Sequence, residues 1–172
     1  MREHEYETEI DTRLEGKLGF DRVRTFVADR CSTEYAVTRV TEERFSNDPK
    51  VIRERLALTD EMRLIVMFEE NFPTNGYIDC LDFLKPLEKT GYTIDILSLG
   101  KLRTMVETVR KLTNFFMSIK DGVYPNLKRM SAPVLSFPEV QRRIDQILDK
   151  FGDVKDTASD KLLEIRRAIK TK

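Results

Sequence analysis

Few residues in this sequence are of the types that carry out chemistry, and their spacing does not assemble a catalytic site. The one histidine, His4, lies near the start of the chain, so it is not placed to activate Cys31 or Cys80 or to complete a metal site in a helical bundle. The helical pattern instead indicates that both cysteines are small core residues. Asp145 and Asp149 stand one helical turn apart, but the neighbouring arginines are typical of solvated ion pairs and not of an acid–base pair.

The tetrapeptide Leu-Gly-Lys-Leu at 99–102 superficially matches part of a phosphate-binding loop, but its surroundings do not fit that motif. The preceding glycine, Gly91, lies at the wrong spacing, and no strand is predicted to lead into the loop. The sequence therefore predicts no catalytic, cofactor-binding or metal-binding residue in this chain. We expect that the chain by itself is not an enzyme.

The strongest candidate for a binding function is a group of cations near the end of the chain. It comprises Lys161, Arg166, Arg167 and Lys170. Arg166 and Lys170 are one helical turn apart and can face the same way, so two or three of these cations can meet one track of phosphates. This spacing predicts weak binding to nucleic acid without sequence preference. The open alternative is a solvated helix face whose arginines pair with Asp160, Glu164 or another helix.

Charge is distributed unevenly along the chain, although its formal total is zero. Residues 1–100 hold 14 Lys or Arg and 21 Asp or Glu, whereas residues 101–172 hold 16 and 9. A basic half of this kind can attract a polyanion, or the two halves can attract each other.

The composition, with 40% hydrophobic and 35% charged residues in a chain of 172, is typical of a helical protein with a substantial core. No apolar run approaches the roughly 20 residues that a membrane helix needs. The acidic start lacks the apolar stretch of a signal peptide, and two cysteines are too few for a disulfide or zinc scaffold. These features predict a cytoplasmic protein without membrane contact.

Apolar residues recur at the helical period along most of the chain. The predicted helices cover about 20–31, 33–43, 49–70, 78–87, 98–120, 140–151 and 159 to the end, with a short turn or helix at 123–133. Asp48 and Pro49 are typical of a helix start, whereas Pro86 is expected to kink or shorten its helix. The sequence also allows a brief strand at 91–94 and another at 134–137, but it predicts no sheet.

The predicted fold is therefore all-α. We expect a bundle of about seven helices in which antiparallel neighbours are joined by short loops. The longest predicted helix carries Val109, Leu112 and Phe116 on one face, and these residues are expected to form the centre of the core.

Three stretches of the sequence, taken together, resemble a known family. They are "LEGKLGFDRVRTFVADRC", "FSNDPKVIRERLALTDEMRLI" with the Thr-x-Glu-like element at 59–61, and "FGDVKDTASDKLLEIRRAI". The third is the most specific, and its matching residues are Gly152, Val154, Asp156, Ala158, Ser159, Leu162, Ile165 and Arg166. In order and spacing these stretches resemble the MutS-II family, the bacterial MutS homologues that lack a mismatch-recognition domain. The resemblance covers about residues 13–170, although "CSTEYA" lacks the glycine that family members often have there.

The resemblance implies that this chain is the N-terminal core segment of a longer protein. Family members combine a helical core, a lever and clamp, an ATPase that dimerises and usually a C-terminal Smr nuclease. This chain would comprise a disordered or frayed tail over 1–12, a helical core domain over 13–155 and the start of a truncated lever helix over 156–172. The ATPase and nuclease residues of the family have no counterparts here.

The function implied by the resemblance is that of a scaffold between the clamp and the ATPase of a DNA-binding protein. ATP and Mg²⁺ would bind only in the missing ATPase domain. The full-length protein would be a homodimeric ATPase and endonuclease that acts on DNA, suppressing recombination, or on ribosomes. The alternative is a freestanding helical module that binds a partner protein through an apolar groove and has no role with nucleic acid.

Overall fold

The computed structural model describes residues 14–170, which form helices joined by short connections. The α-helices are α1 Phe20–Ala28, α2 Glu34–Glu42, α3 Pro49–Phe68, α4 Leu81–Leu84, α5 Ile96–Ser118, α6 Pro125–Ser131, α7 Pro138–Ile147 and α8 Asp160–Lys170, and a 3₁₀ helix covers Lys85–Glu88. Residues 14–18 are also helical. Between 14 and 170 there is no strand, and an isolated antiparallel bridge joins Leu148 to Val154. The predicted all-α class is confirmed.

The chain separates into two compact units, and the division between Asp60 and Glu61 falls inside α3. This division lies within the range 13–155 that the sequence assigns to one core domain, so the boundaries inferred from the sequence stay a prediction. The predicted tail over 1–12 lies outside the described residues.

Helices of the first unit begin at residues suited to helix starts. Gly19 has a φ of 72°, a left-handed conformation that favours glycine, and it separates the helical residues 14–18 from α1. The Thr33 hydroxyl accepts a hydrogen bond of 3.2 Å from the N–H three residues further on, which caps α2. Asp48 accepts one of 2.8 Å from the N–H two residues on, and Pro49 is the first residue of α3 as predicted.

Among residues 14–170, all of the buried apolar side chains lie in the second unit. These are Ile65, Cys80, Val106, Phe115, Phe116, Leu127, Ile144 and Leu148. α5 supplies three of them and packs against α6 and α7. The ring centroids of Phe72 and Phe116 both lie 5.2 Å from that of Phe115, in edge-to-face arrangements that favour aromatic pairs.

The predicted core is correct at one of its three residues. Phe116 is only 5% exposed, whereas Val109 and Leu112 are half-buried. The fully buried apolar side chains of the described residues are instead Ile65 and Leu148. Of the two cysteines predicted to be core residues, Cys80 is buried and Cys31 is only partly so.

Two helix ends follow from proline and glycine. Pro86 shortens the fourth predicted helix, because α4 ends at Leu84 and the chain continues as a 3₁₀ helix. α7 ends at Ile147 and not near 151, since the chain turns back through Gly152, which has a φ of 91°. Residues 91–94 and 134–137 form no strand. None of the described helices combines the length and apolar character needed to cross a membrane.

Candidate nucleic-acid interface

α8 carries the cations that the sequence identifies as a candidate surface for nucleic acid, which are Lys161, Arg166, Arg167 and Lys170. The helix begins where the Ser159 hydroxyl accepts a hydrogen bond of 3.2 Å from the N–H of Leu162. Asp160 adds a negative charge to the first turn, and the cations of the last turn complement the other end of the helix dipole. Local sequence therefore favours both ends of α8.

One carboxylate binds two of these cations. Arg166 Nη1 donates a hydrogen bond to Asp156 Oδ1, and Lys170 Nζ lies 3.2 Å from Asp156 Oδ2. Arg166 Nη1 also donates to the carbonyl oxygen of Val154 at 3.2 Å. We call the three charged residues, Asp156, Arg166 and Lys170, the Asp156 cluster. It ties α8 to the chain segment immediately before it.

The electrostatics of the Asp156 cluster favour the ionised carboxylate. The hydrogen bonds from Arg166 and then from Lys170 hold the pKa of Asp156 below its ordinary value. The side chains of Asp156 and Lys170 are 42% and 75% exposed, so solvent screens their attraction. The Asp156 carboxylate is therefore ionised at neutral pH, and the cluster is open to competing ions.

The segment that carries Asp156 is itself fixed to the second unit. Asp149 Oδ1 accepts hydrogen bonds from the N–H groups of Phe151 at 2.8 Å and Asp153 at 3.0 Å, which closes a tight turn. Those same bonds lower the pKa of Asp149 against the opposing effect of burial, which is the largest single influence on it. Arg103 of α5 donates to the Asp149 carbonyl oxygen at 2.8 Å, and Lys155 donates to the carbonyl oxygen of Asp145 at 2.6 Å.

The structure thus brings together two of the four predicted cations. Arg166 and Lys170 share one partner, as their spacing predicts, whereas Lys161 and Arg167 lie at other angles around the helix. Pairing of the cations with carboxylates was the alternative that the sequence left open, and Arg166 and Lys170 do pair with one, that of Asp156. Binding of nucleic acid by these residues stays a prediction.

The arrangement can bind an anion, and it contains no pair of groups set up for proton transfer. Within residues 14–170, no three His, Cys, Asp or Glu side chains are grouped so that they could hold a metal ion. An apolar groove of about 290 Å³ in the first unit is lined by Phe20, Val23, Arg24, Val27, Arg39, Val40 and Glu43. Its lining is mainly hydrocarbon, so it offers packing surface and not reactive groups.

Comparison with known proteins identifies relatives along almost the whole chain. The chain is 26% identical over 163 residues to endonuclease MutS2 of Listeria innocua serovar 6a, a match that covers 94% of this chain and 21% of that protein. It is also 26% identical over 164 residues to endonuclease MutS2 of Geobacillus sp. strain WCH70 and of Clostridium perfringens strain SM101, each covered over 21% of its length. This chain is a homologue of the MutS2 proteins. No family model matches it. The chain spans about a fifth of the length of these MutS2 relatives.

The Thr-x-Glu-like element that resembles the MutS2 proteins contains a residue whose role sequence reasoning missed. Glu61 is 9% exposed, and its carboxylate accepts three hydrogen bonds at the start of α6. The backbone N–H and the side-chain amide of Asn126 donate to Oε1 at 3.1 and 2.7 Å, and the N–H of Leu127 donates to Oε2 at 2.8 Å. Glu61 therefore caps α6 from a distant part of the sequence. The sequence did contain a signal for this role, because Glu61 is a carboxylate that lies between Leu58 and Ile65 on the otherwise apolar face of α3.

The first MutS2-like stretch holds a second buried carboxylate. Glu15 is 1% exposed; Arg24 Nη1 lies 2.8 Å from Glu15 Oε2, and the N–H of Phe45 donates to Oε1 at 3.2 Å. Arg24 also donates to the carbonyl oxygen of Glu43 at 2.8 Å. Burial opposes ionisation most strongly, but the hydrogen bonds from Arg24 and Phe45 outweigh it and hold the pKa of Glu15 below its ordinary value. Glu15 thus links three segments of the first unit.

Proposed function

We propose that this chain is a helical scaffold segment of a MutS2-type DNA-binding ATPase and endonuclease. Its role is to hold helices in fixed positions, not to carry out the chemistry. The proposal rests on what residues of the three MutS2-like stretches do in the structure, which is to join segments and cap helices. Glu15, Glu61 and Asp156 each join separate segments through hydrogen bonds, and Ser159 caps a helix. Residues that serve catalysis would instead be expected to converge on a substrate.

Under this proposal α8 begins the lever that carries motion between the nucleotide site and the clamp. Such a lever needs a firm attachment at its base. Two backbone contacts support this role, because Arg166 joins α8 to the Val154 carbonyl oxygen while Arg103 joins the preceding turn to α5. A displacement of α5 would therefore be passed to α8 through polar contacts and not through a flexible linker.

The remaining properties of the parent protein follow from the same proposal. ATP and Mg²⁺ bind in the ATPase domain of the longer protein, which forms a homodimer and works in the cytoplasm. Its partner is DNA or a ribosome. The name endonuclease, which the relatives carry, supports a nucleic-acid substrate for that longer protein.

The first test is ATP hydrolysis by the purified chain. We expect no turnover above the rate of a buffer control, because this segment acts through structure. Turnover that survives repeated purification and is abolished by a substitution in this chain would contradict the scaffold role.

The second test is a chimera in which this chain replaces the matching segment of the Listeria innocua MutS2 relative. We expect the folded chimera to retain DNA binding and ATP hydrolysis, since the scaffold geometry is conserved in the proposal. A second chimera carrying Glu61→Ala should lose both activities in proportion to its loss of folded structure. An unrelated helical segment of equal length is the control. If the folded chimera behaves like this control, the proposal is wrong.

A further inference from the structure

The Asp156 cluster has the composition of an anion-binding site that already contains an anion. Arg166 and Lys170, one turn apart on α8, both contact the oxygens of a single carboxylate. A phosphate group offers the same kind of charged oxygen and more of them, and guanidinium groups bind phosphate and carboxylate with the same fork of donors. The two cations are therefore spaced to bind one phosphate in the place of Asp156.

Exposure makes such an exchange possible at this cluster. The side chains of Arg166, Asp156 and Lys170 are 38%, 42% and 75% exposed. The ion pair between Arg24 and Glu15 in the first unit differs, because those side chains are only 16% and 2% exposed. Exposed ion pairs are weak and screened by solvent, whereas breaking a buried pair leaves a charge without compensation. Of these two ion pairs, the one in the Asp156 cluster can therefore release its carboxylate at the lower cost.

Arg166 would keep its position when Asp156 leaves. Its Nη1 donates to the Val154 carbonyl oxygen at 3.2 Å, a contact that does not depend on the carboxylate. The other terminal nitrogen, Nη2, takes part in neither that contact nor the one with Asp156. The site is therefore preorganised for an incoming anion, which reduces the ordering cost of binding.

We propose that Arg166 and Lys170 form a phosphate-binding site for a nucleic-acid backbone, and that Asp156 occupies this site from within the chain. Asp156 and a backbone phosphate then exclude each other, so the carboxylate lowers the affinity of α8 for nucleic acid. The choice of a nucleic acid as the ligand rests on the proposed function. The competition itself rests on the geometry of the Asp156 cluster.

The test compares Asp156→Asn with the parent chain for binding to a short fluorescent DNA duplex across a salt series. Asparagine removes the competing charge, so we expect about two- to fivefold tighter binding at low salt. Each neutralised phosphate adds about −0.9 to the slope of log affinity against log salt, so the slope should become more negative by about 0.9. The matched control is Asp153→Asn, which makes the same charge change at an exposed residue outside the cluster.

The outcomes separate competition from a general charge effect. A gain for Asp156→Asn that Asp153→Asn lacks, and that is lost in Asp156→Asn/Arg166→Ala, supports the proposal. Equal gains for the two single variants overturn it, because any added positive charge would then suffice. Absence of binding by all variants also overturns the competition between Asp156 and phosphate. The scaffold proposal is not affected by that result, because the chimera experiment tests it separately.

A measurement on the parent chain keeps the proposal testable if Asp156→Asn does not fold. Inorganic pyrophosphate is titrated into the parent while the side-chain carboxyl carbons and arginine Nε groups are followed by NMR. Displacement predicts that the Asp156 and Arg166 signals shift together while the Asp153 signal stays constant. Unchanged Asp156 and Arg166 signals at saturating pyrophosphate would overturn the proposal.

Discussion

Glu61→Ala should destabilise the second unit strongly, because it removes the acceptor of three hydrogen bonds at the start of α6. Two of the donors are backbone N–H groups, and Leu127 is 3% exposed, so its N–H cannot turn to water. Leaving a buried donor unsatisfied costs about 1–3 kcal/mol, and losing a helix cap costs about 1 kcal/mol. We therefore expect a loss of about 2–4 kcal/mol, a large share of the roughly 5–15 kcal/mol that stabilises a domain.

Glu61→Gln removes the negative charge but keeps one acceptor oxygen, so it distinguishes the effect of the charge from that of the hydrogen bonds. The amide oxygen can still accept from Asn126, but the amide nitrogen then meets the N–H of Leu127, and a loss of about 1–2 kcal/mol is expected. Glu70→Ala changes an exposed glutamate just beyond α3 and should stay within about 0.5 kcal/mol of the parent. The measurement is urea denaturation followed by circular dichroism. A Glu61→Ala midpoint equal to that of Glu70→Ala would refute the capping role.

Three further substitutions test the packing and electrostatics. Phe116→Ala, which removes a ring that is 5% exposed, should lower the free energy of unfolding by about 3–5 kcal/mol, and an unchanged denaturation midpoint would contradict the core assignment. Gly76→Ala should destabilise more than Gly122→Ala in the same urea experiment. Both glycines have a φ near 85°, but only at Gly76 does a new Cβ clash with the Thr108 hydroxyl. The Glu15 carboxylate has a lower pKa in the folded chain than its ordinary value of 4.5, so the folded state binds fewer protons than the unfolded state. The stability that ionised Glu15 contributes should be complete above about pH 4.5 and decline as the pH falls through the folded-state pKa. The measurement is the free energy of unfolding of the parent and of Glu15→Gln across this pH range. A difference between the two that does not change with pH would contradict this prediction.

Local signals were sufficient to predict most helices. Asp48 and Pro49 start α3, and Pro86 ends α4, because each acts through its own backbone and immediate neighbours. α5 begins at Ile96 and not at Ser98, since Asp95 accepts a hydrogen bond of 2.9 Å from the Ser98 N–H and caps the helix earlier. The two-residue difference between the predicted and observed start of α5 therefore reflects a choice between nearby capping residues.

Features that depend on distant partners could not be read from the sequence. The apolar pattern continues to Phe151, but the chain turns back through Gly152, Leu148 pairs with Val154, and Phe151 is left 78% exposed. The spacing of Arg166 and Lys170 predicted a shared face but did not identify Asp156 as their partner. A pattern gives the face of a helix, whereas the partner depends on how the intervening chain turns.

The cap on α6 also bears on the order in which this chain folds. α6 has seven residues, far fewer than the roughly 12–15 at which an isolated helix becomes even marginally stable in water. Its acceptor, Glu61, is 66 residues away from Leu127 in sequence, so the cap forms only after a long loop has closed. α3 and α5 can acquire helical structure from local contacts well before that closure. The short helix is thus a product of tertiary assembly, and the buried carboxylate couples its formation to the docking of α3.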